Sequence, residues 1–366
     1  MKPTADAERF LSAFAGQLAR AGFSADAARA YVWRSFDPAS EPMLGPQRHT
    51  DLQHLEMDAT SMAEWMREGL PAAQALHTRF ASSAPVALIL VPGFTHETLR
   101  NRSFHEVVDD RHSKHQVTLL QPGPNGSTQE VRFGNGPGLR MAYLAYPRSN
   151  ADSRLILPGM VQLLAQSKRV AEWIAEGRRL LFVGYSNGAP LTLELLAGLQ
   201  QGCFEVPGLL EATRAVLSLC GDVGGSYLAD DAIGETPGLV SIPKLIATAE
   251  KLPWVGKLIG LGTPQLRADM LEGVGSLGHA RRQQAMREYA PLLPAHVHYY
   301  SMAAMYALSD YRRHWWQANL DDWTMYRQAL ITDPITAYND GQVALEDNLF
   351  PQAEQIPASH VHHLGA

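Results

Sequence analysis

The fold is decided by the stretch Leu180-Leu181-Phe182-Val183-Gly184-Tyr185-Ser186-Asn187-Gly188, in which an apolar run leads into a serine flanked by glycines. The run at 180–183 predicts a strand buried on both faces, because a strand with one solvated face would alternate apolar and polar residues. The apolar segment 191–199 predicts the helix that follows. A serine between two glycines at a strand-to-helix turn is typical of an exposed nucleophile.

The chemistry of this turn explains its residue types. We expect glycine at positions 184 and 188 because a side chain at either place would crowd the neighbouring strand or helix. The helix that follows points its free backbone N–H groups toward the reacting centre, so the N–H of Asn187 is a candidate oxyanion donor. The hydroxyl of Ser186 is a poor nucleophile unless a base reaches it. A glycine-rich turn without catalytic meaning is the alternative interpretation.

Strands and helices alternate over most of the chain. Further apolar runs predict buried strands at 86–91, 141–146, 215–219 and 297–302. Helical spacing of apolar residues predicts a helix over 159–176, and the stretch 122–138, rich in Gly, Pro and Asn, is interpreted as a loop. The alternation predicts an α/β fold, with a mostly parallel central sheet and helices on both faces.

Three segments fall outside this alternation. Residues 1–83 have apolar residues at helical spacing and predict a helical N-terminal extension before a catalytic domain at 84–366. Residues 232–290 predict a helical insertion that resembles a lid, and residues 305–332 a second helical insertion. The apolar part of the first insertion, 239–261, fits either a lid that binds acyl chains or a lipid interface, or a helix packed on its neighbours.

Composition excludes several classes of protein. The 366 residues are 46% hydrophobic and 19% charged, and the net charge of −6 gives no attraction to a nucleic-acid backbone. The run 86–91 is far shorter than the roughly 20 residues of a membrane-spanning helix. Asp6 stands where a secretory signal would become apolar, so we expect no signal peptide and a cytoplasmic location. Cys203 and Cys220 lack metal-binding spacing, and we interpret both as small buried residues.

The sequence resembles the α/β-hydrolase superfamily, and within it the serine lipases and esterases. The resemblance rests on three pieces of the stretch 84–366: Gly184-Tyr185-Ser186-Asn187-Gly188, Val91-Pro92-Gly93-Phe94 and Asn339-Asp340-Gly341-Gln342-Val343. In the second piece, Pro92 replaces the histidine that is usual in the family. The resemblance implies an α/β-hydrolase fold and hydrolysis of carboxylic esters without a cofactor. The lipases that the sequence resembles can hold calcium partly through an acid just after the catalytic histidine, but Gly365 stands there, so we expect no metal site. The resemblance also implies that the N–H of Phe94 is the second oxyanion donor.

The order of residues narrows the choice of catalytic partners. In this fold the nucleophile, the acid and the histidine follow one another as Ser, Asp or Glu, and His. The resemblance makes Asp340 the acid, and the histidines that follow it are His360, His362 and His363. It favours His363 as the base, with His360 as the alternative. Asp222 is a rival acid, because it also follows a predicted strand after the nucleophile.

Several functions remain compatible with these residues. The first is a serine hydrolase that cleaves a small-molecule or lipid ester, with transient contact to a lipid interface if 239–261 is a lid. The same triad would also serve an acyltransferase or a thioesterase, since water and other nucleophiles compete for one acyl-enzyme. A binding protein of the same fold without catalytic activity is the third.

Overall fold

The computed structural model describes residues 86–94, 116–134, 140–234, 241–252, 263–306, 308–313, 320–336, 338–348, 353–359 and 363, together with Ser12 and Ala15. Both of these N-terminal residues are helical. The rest of the predicted extension 1–83 lies outside the described residues. The helical insertions are described in part, since 235–240, 253–262 and 314–319 also lie outside them.

A single sheet of eight strands organises the described part of the chain. The strands are β1 (Val86–Val91), β2 (Gln116–Pro122), β3 (Thr128–Phe133), β4 (Arg140–Leu144), β5 (Arg179–Tyr185), β6 (Thr213–Leu219), β7 (His298–Met305) and β8 (Glu354–Ser359). Their order across the sheet is β3-β2-β4-β1-β5-β6-β7-β8. All neighbours are parallel except β2 and β3, which form an antiparallel pair at one edge.

The structure confirms the strand predictions in the middle of the sheet and corrects one prediction at its edge. β1, β4, β5, β6 and β7 lie where apolar runs predicted strands. The interpretation of 122–138 as a loop is wrong, because β3 occupies 128–133 and pairs with β2. The glycine and proline signals mark only the turn at 123–127, where Asn125 and Gly126 have φ of 57° and 71°. β3 is half exposed and contains polar residues. It therefore lacks the continuous apolar run by which the buried strands were predicted.

Ten helices are described. They are α1 (Ser153–Gln166), α2 (Lys168–Ala175), α3 (Gly188–Gln200), α4 (Leu209–Ala212), α5 (Tyr227–Ile233), α6 (Ile242–Lys251), α7 (Pro264–Ser276), α8 (His279–Tyr289), α9 (Leu308–Arg313) and α10 (Leu320–Thr332). The prediction of one helix over 159–176 is wrong, since two helices meet at Ser167. The hydroxyl of Ser167 accepts a hydrogen bond from the N–H of Val170 and so starts α2 as a new helix.

The main core lies between the sheet and helices α1, α2 and α3. Ile89 of β1 and Phe182 of β5 are fully buried there, next to Trp173 of α2 and the apolar side chains of α3. The predicted mostly parallel α/β sheet with helices is thereby confirmed. No helix among the described residues is long and apolar enough to cross a membrane. Cys220 is buried as expected, but Cys203 is exposed, because it lies in the turn after α3 and outside this core.

Helices α5, α6 and α7 form a smaller apolar cluster of their own. Ala229 of α5, Ile242 of α6 and Met270 of α7 are buried in it, and the ring of Phe94 packs against it. Helix α7 is tied to the loop after β4 by a bidentate ion pair, in which Arg148 donates to both carboxylate oxygens of Asp269 at 2.9 and 2.5 Å. Helices α6 and α7 lie within the predicted insertion 232–290, whereas α5 begins before it, at Tyr227.

Candidate active site

Ser186 lies on a tight turn between β5 and α3, as its motif predicts. Its backbone φ is 52°, in the left-handed region that side chains other than glycine rarely adopt. The N–H of Ser186 donates to the carbonyl of Leu219 at 3.0 Å, which extends the pairing of β5 and β6 by one residue. The backbone therefore holds Ser186 at the carboxyl end of the sheet, where functional residues of parallel sheets collect.

The two glycines of the motif are required by close backbone contacts. A Cβ atom at Gly184 would stand 2.5 Å from the Cα of Ala189, and one at Gly188 would stand 2.1 Å from the carbonyl oxygen of Val91. Real Cβ atoms do not approach other atoms so closely. The expected crowding at both positions is confirmed, and α3 begins against the end of β1.

The turn after β1 lies directly beside Ser186. A Cβ at Gly93 would stand 2.8 Å from the Cβ of Ser186, so Gly93 and the nucleophile candidate pack without a gap. The hydroxyl of Tyr146, which follows β4, donates to the carbonyl of Pro92 at 2.7 Å. Tyr146 thus fixes the turn in which Pro92 stands in place of a histidine. Phe94 follows this turn, and its side chain lines the cavity next to Ser186.

Asp340 and His363 form a buried pair. The Nδ1 atom of His363 lies 2.8 Å from the Oδ2 atom of Asp340, and the N–H of His363 donates to the carbonyl of Asp340 at 2.8 Å. The Oδ1 atom of Asp340 accepts from the N–H groups of Gln342 and Val343 at 2.9 and 2.8 Å. The two side chains are 0% and 2% exposed. The pairing of Asp340 with His363 is therefore built from both backbone and side-chain contacts.

The other nitrogen of His363 is unpaired. Its Nε2 atom is buried and has no hydrogen-bond partner within the described part of the chain. The hydrogen bond from Ser186 to this atom is consequently not formed in this structure. Tyr185, the residue before Ser186, holds the imidazole near the turn, because its hydroxyl donates to the carbonyl of His363 at 2.9 Å and the two rings are 5.2 Å apart. The alternative base, His360, lies outside the described residues.

Asp222, the rival acid, follows β6 and is buried next to the same cavity. Its Oδ1 atom has no hydrogen-bond partner among the described residues. Burial raises the pKa of Asp222, and the nearby charges of Arg282 and His363 oppose this rise without cancelling it. The carboxylate of Asp340 accepts the hydrogen bond from Nδ1 of His363, so the geometry places Asp340, and not Asp222, in hydrogen-bond contact with the imidazole.

Cys220 is the third side chain at the pair. Its φ of 49° puts a second non-glycine residue of this edge into the left-handed region. Burial raises the pKa of the Cys220 thiol, and the charge of Asp340 and a hydrogen bond to its carboxylate raise it further. Within the described residues, Cys220, Asp340 and His363 form the one cluster of side chains of metal-ligand type, with ligand atoms within 4.8 Å of one another. Hydrogen bonds through Asp340 account for this cluster without an ion.

A cavity of about 280 Å³ opens beside Ser186. Its walls are mostly apolar and come from the turn after β1 and from helices α5, α6, α7 and α10. Asn187 is buried and comes directly before α3, next to Ser186 in the chain. The structure thus brings Ser186 and Phe94 together at the cavity, with Asn187 next to Ser186 in the chain and His363 in contact with Tyr185.

Sequence reasoning missed Tyr146, Tyr185 and Cys220. Tyr146 and Tyr185 act through contacts that span 54 and 178 residues of the chain. The position of Tyr185 inside the G-x-S-x-G motif could have drawn attention to it, but no local pattern marks Tyr146 or Cys220.

Comparison with known proteins gives structural likenesses only. No family model matches the sequence, and no curated protein matches it. A metagenomic carboxyl esterase aligns with a TM-score of 0.48 and 23% identity over 77% of this chain and 66% of the esterase. A Bacillus licheniformis lipase in its mature form aligns with a TM-score of 0.43 and 15% identity over 78% of this chain and 87% of the lipase.

A third likeness is to phospholipase PlaB from Legionella pneumophila, with a TM-score of 0.34 and 11% identity over 72% of this chain. The alignment spans 45% of the phospholipase, so less than half of that protein has a counterpart here.

The arrangement of the chain itself identifies the fold. Ser186 follows β5 in a strand-turn-helix, Asp340 follows β7, and His363 follows β8, in the order Ser, Asp, His. The sheet is mostly parallel, and all three residues follow carboxyl ends of its strands. These features together are those of the α/β-hydrolase fold.

Proposed function

We propose that the protein is a serine hydrolase that cleaves carboxylic esters through an acyl-enzyme on Ser186. The observation that carries the proposal is the buried pair of His363 and Asp340 at the sheet edge that also holds Ser186. A paired imidazole with one free nitrogen is the base that a serine hydroxyl needs. The strained turn at Ser186 and the apolar cavity beside it support the same function.

The first half of the reaction forms the acyl-enzyme. The Oγ atom of Ser186 attacks the ester carbonyl carbon, and its proton moves to Nε2 of His363, which becomes an imidazolium ion. Asp340 holds the Nδ1 proton and stabilises that charge. The backbone N–H groups of Phe94 and Asn187 stabilise the oxyanion. When the tetrahedral intermediate collapses, the bond to the alcohol breaks and Nε2 returns the proton to the leaving oxygen.

The second half releases the acid. A water molecule gives a proton to Nε2 and attacks the acyl carbon, and the second oxyanion occupies the same donors. Collapse of this intermediate breaks the bond to Ser186, which recovers its proton from His363. A short movement of the His363 ring or of the Ser186 side chain completes the hydrogen bond between them when substrate binds.

We also propose that residues 84–366 form one catalytic domain, in which the insertion 232–290 caps the site. The cap assignment is supported by α6 and α7, which form an apolar cluster together with the neighbouring α5 and contribute side chains to the cavity wall. The part of the apolar segment that contains Trp254 and Leu258 lies outside the described residues.

The nucleophile assignment is tested by Ser186→Ala. We expect this variant to lose fluorophosphonate labelling and to lower kcat for p-nitrophenyl esters by about 10⁴-fold or more, because no acyl-enzyme can form. Ser226→Ala is the matched control, since Ser226 lines the same cavity and its hydroxyl donates to the carbonyl of Gln342. This control should still be labelled. Near-normal turnover of Ser186→Ala, in a folded protein, would show that another residue is the nucleophile.

A further inference from the structure

Two residues that line the cavity beside Ser186 carry an acceptor oxygen that has no hydrogen-bond partner among the described residues. One of these oxygens is Oδ1 of Asp222, at the end of β6, and the other is Oε1 of Gln328, on α10. Both residues line the cavity, both atoms are buried, and neither has a hydrogen-bond partner within the described residues. Asp222 as a whole is 3% exposed, so bulk solvent does not reach its carboxylate.

A buried acceptor without a donor is costly, and proteins satisfy nearly all such groups. Two of them at one cavity therefore point to a ligand that brings the donor. The charges of the wall point the same way. Asp222 and Asp231 line the cavity, no Lys, Arg or His is among its described lining residues, and the charges of Arg282 and His363 act on Asp222 from outside this lining. Such a wall repels an anionic group and accepts a hydroxyl or an ammonium group.

We propose that this cavity is a subsite for a hydrogen-bond donor carried by the substrate, apart from the scissile ester. The inference rests on the proposed hydrolase function and names its substrate class, which is esters with a hydroxyl or protonated amine on the acyl chain. The apolar walls bind the carbon chain of the acyl group. The hydroxyl or ammonium group on that chain donates to Asp222 and Gln328. A plain alkyl chain leaves both oxygens unpaired, so it binds the site less well in the transition state.

The ionisation of Asp222 is consistent with this assignment. Burial raises the pKa of Asp222, and the nearby charges of Arg282 and His363 offset only part of this rise. A donor bound at Oδ1 would favour the ionised form. An ammonium group would favour it more than a hydroxyl group does, because it adds an opposite charge.

The experiment compares kcat/KM for p-nitrophenyl esters of matched six-carbon acids. The set contains the hexanoate, the 3-hydroxy and 6-hydroxy acids with their methoxy counterparts, the 6-amino acid and the hexanedioate monoester. We expect at least one hydroxy ester to exceed its methoxy counterpart by about 10- to 100-fold. The monoester, with its carboxylate, should be the poorest substrate. Equal values for each hydroxy and methoxy pair would overturn the subsite, as would occupation of both oxygens by a bound water.

Variants assign the preference to the two oxygens. Gln328→Met removes one acceptor at nearly constant volume and should reduce the ratio of hydroxy to methoxy ester. Asp222→Asn removes the charge and should reduce the preference for the amino ester more than that for the hydroxy ester. Leu330→Met is the matched control, because Leu330 lies on the same helix but is exposed, is not among the lining residues of the cavity and offers no acceptor. Its ratio should remain that of the parent protein.

The two proposals fail in different ways. Fluorophosphonate labelling with equal kcat/KM for every ester pair would leave a serine hydrolase without this subsite. Absence of both labelling and turnover, in a protein with a cooperative melting transition, would refute the hydrolase function and the subsite with it. A ratio unchanged in both Gln328→Met and Asp222→Asn would refute the assignment to these residues.

Discussion

The backbone of Ser186 takes a conformation that costs free energy, and its neighbours hold it there. A non-glycine residue in the left-handed region costs about 1–3 kcal/mol. At Ser186 the strain is held by the hydrogen bond from its N–H to Leu219 and by the close packing of Gly188 on the end of β1. These contacts keep Ser186 in this conformation at the carboxyl end of β5.

The roles of the two acidic residues can be separated by amide substitution. Asp340→Asn keeps the shape of the pair but removes the carboxylate that fixes the tautomer of His363 and stabilises the imidazolium. We expect kcat to fall by about 10⁴-fold while KM changes little. Hydrolysis of a p-nitrophenyl ester under saturating substrate measures this.

Asp222→Asn is the comparison, and the structure predicts a much smaller loss of kcat on an unsubstituted ester. The hydrogen bond from the imidazole to Asp340 orients the ring of His363. Asp222 makes no hydrogen bond to this ring within the described residues. A larger loss from Asp222→Asn than from Asp340→Asn would transfer the role of the acid to Asp222.

The candidate catalytic residues were predictable because each lies in a local pattern. Ser186 is marked by its flanking glycines, and Asp340 and His363 by their resemblance to family segments and by chain order. The residues that support them were not predictable. Tyr146 donates to Pro92, and Cys220 contacts Asp340, through contacts that only the folded sheet creates. A single sequence contains no periodicity that links such distant positions.

At the scale of strands, the burial of a strand determines how clearly its sequence predicts it. β1 and β5 lie inside the sheet, and their continuous apolar runs are unambiguous. β3 and β8 are the two edges, and their sequences, Thr128–Phe133 and Glu354–Ser359, mix polar residues with apolar ones. β8 even contains Pro357, which a central strand would not tolerate. Edge strands need less apolar surface, so the signal that identifies strands is weakest there.

Helix α7 offers a matched pair of glycines for a test of the cap. A Cβ at Gly273 would stand 1.9 Å from the carbonyl oxygen of Asn150 and 2.9 Å from the ring of Phe94. We expect Gly273→Ala to force α7 away from the body and destabilise the protein by about 1–3 kcal/mol. Because Phe94 is a proposed oxyanion donor, kcat should fall by about 10- to 100-fold as well. Thermal unfolding and ester hydrolysis measure the two effects.

Gly275→Ala is the control in the same helix. A Cβ at this position meets nothing within 4 Å, so alanine should stabilise α7 by about 0.5–1 kcal/mol through its higher helix propensity. If both variants behaved alike, the close contact of α7 with Phe94 and Asn150 would have no part in stability or turnover.

At the scale of the whole molecule, one histidine links helix α5, which lines the cavity, to the segment that follows Asp340. His279, at the start of α8, lies 2.6 Å from a carboxylate oxygen of Asp230 on α5 and 3.0 Å from one of Asp347. Asp347 belongs to the short turn that follows Asp340, and its carbonyl accepts from the N–H of Gly224 at 2.6 Å. The ion pairs of His279 thus hold this wall of the cavity and the segment that follows Asp340 together.

The protonation of His279 sets the pH range over which this link acts. Burial alone would lower the pKa of His279, but hydrogen bonds to Asp230 and Asp347 and their charges outweigh it and raise the pKa to about 9. The pKa of Asp347 is raised too, because the burial of its carboxyl outweighs the effect of one imidazolium.

The sign of the pH effect follows from this raised pKa. A group whose pKa is higher in the folded state contributes stability that is fully present below its unfolded pKa, near 6.5, and is lost as the pH rises through the folded pKa of about 9. The melting temperature of the parent protein should therefore fall between pH 7 and pH 10.

His279→Gln should melt lower at pH 7, and the gap between the two proteins should close by about pH 10. His296→Gln is the control, because His296 is exposed and its Nε2 atom lies 3.0 Å from the neutral carbonyl of Leu210. Because α5 lines the cavity, KM of His279→Gln should also rise at pH 7 and approach that of the parent protein at pH 10. A gap in melting temperature that stayed constant from pH 7 to pH 10 would show that the link acts through packing and not through the charge of His279.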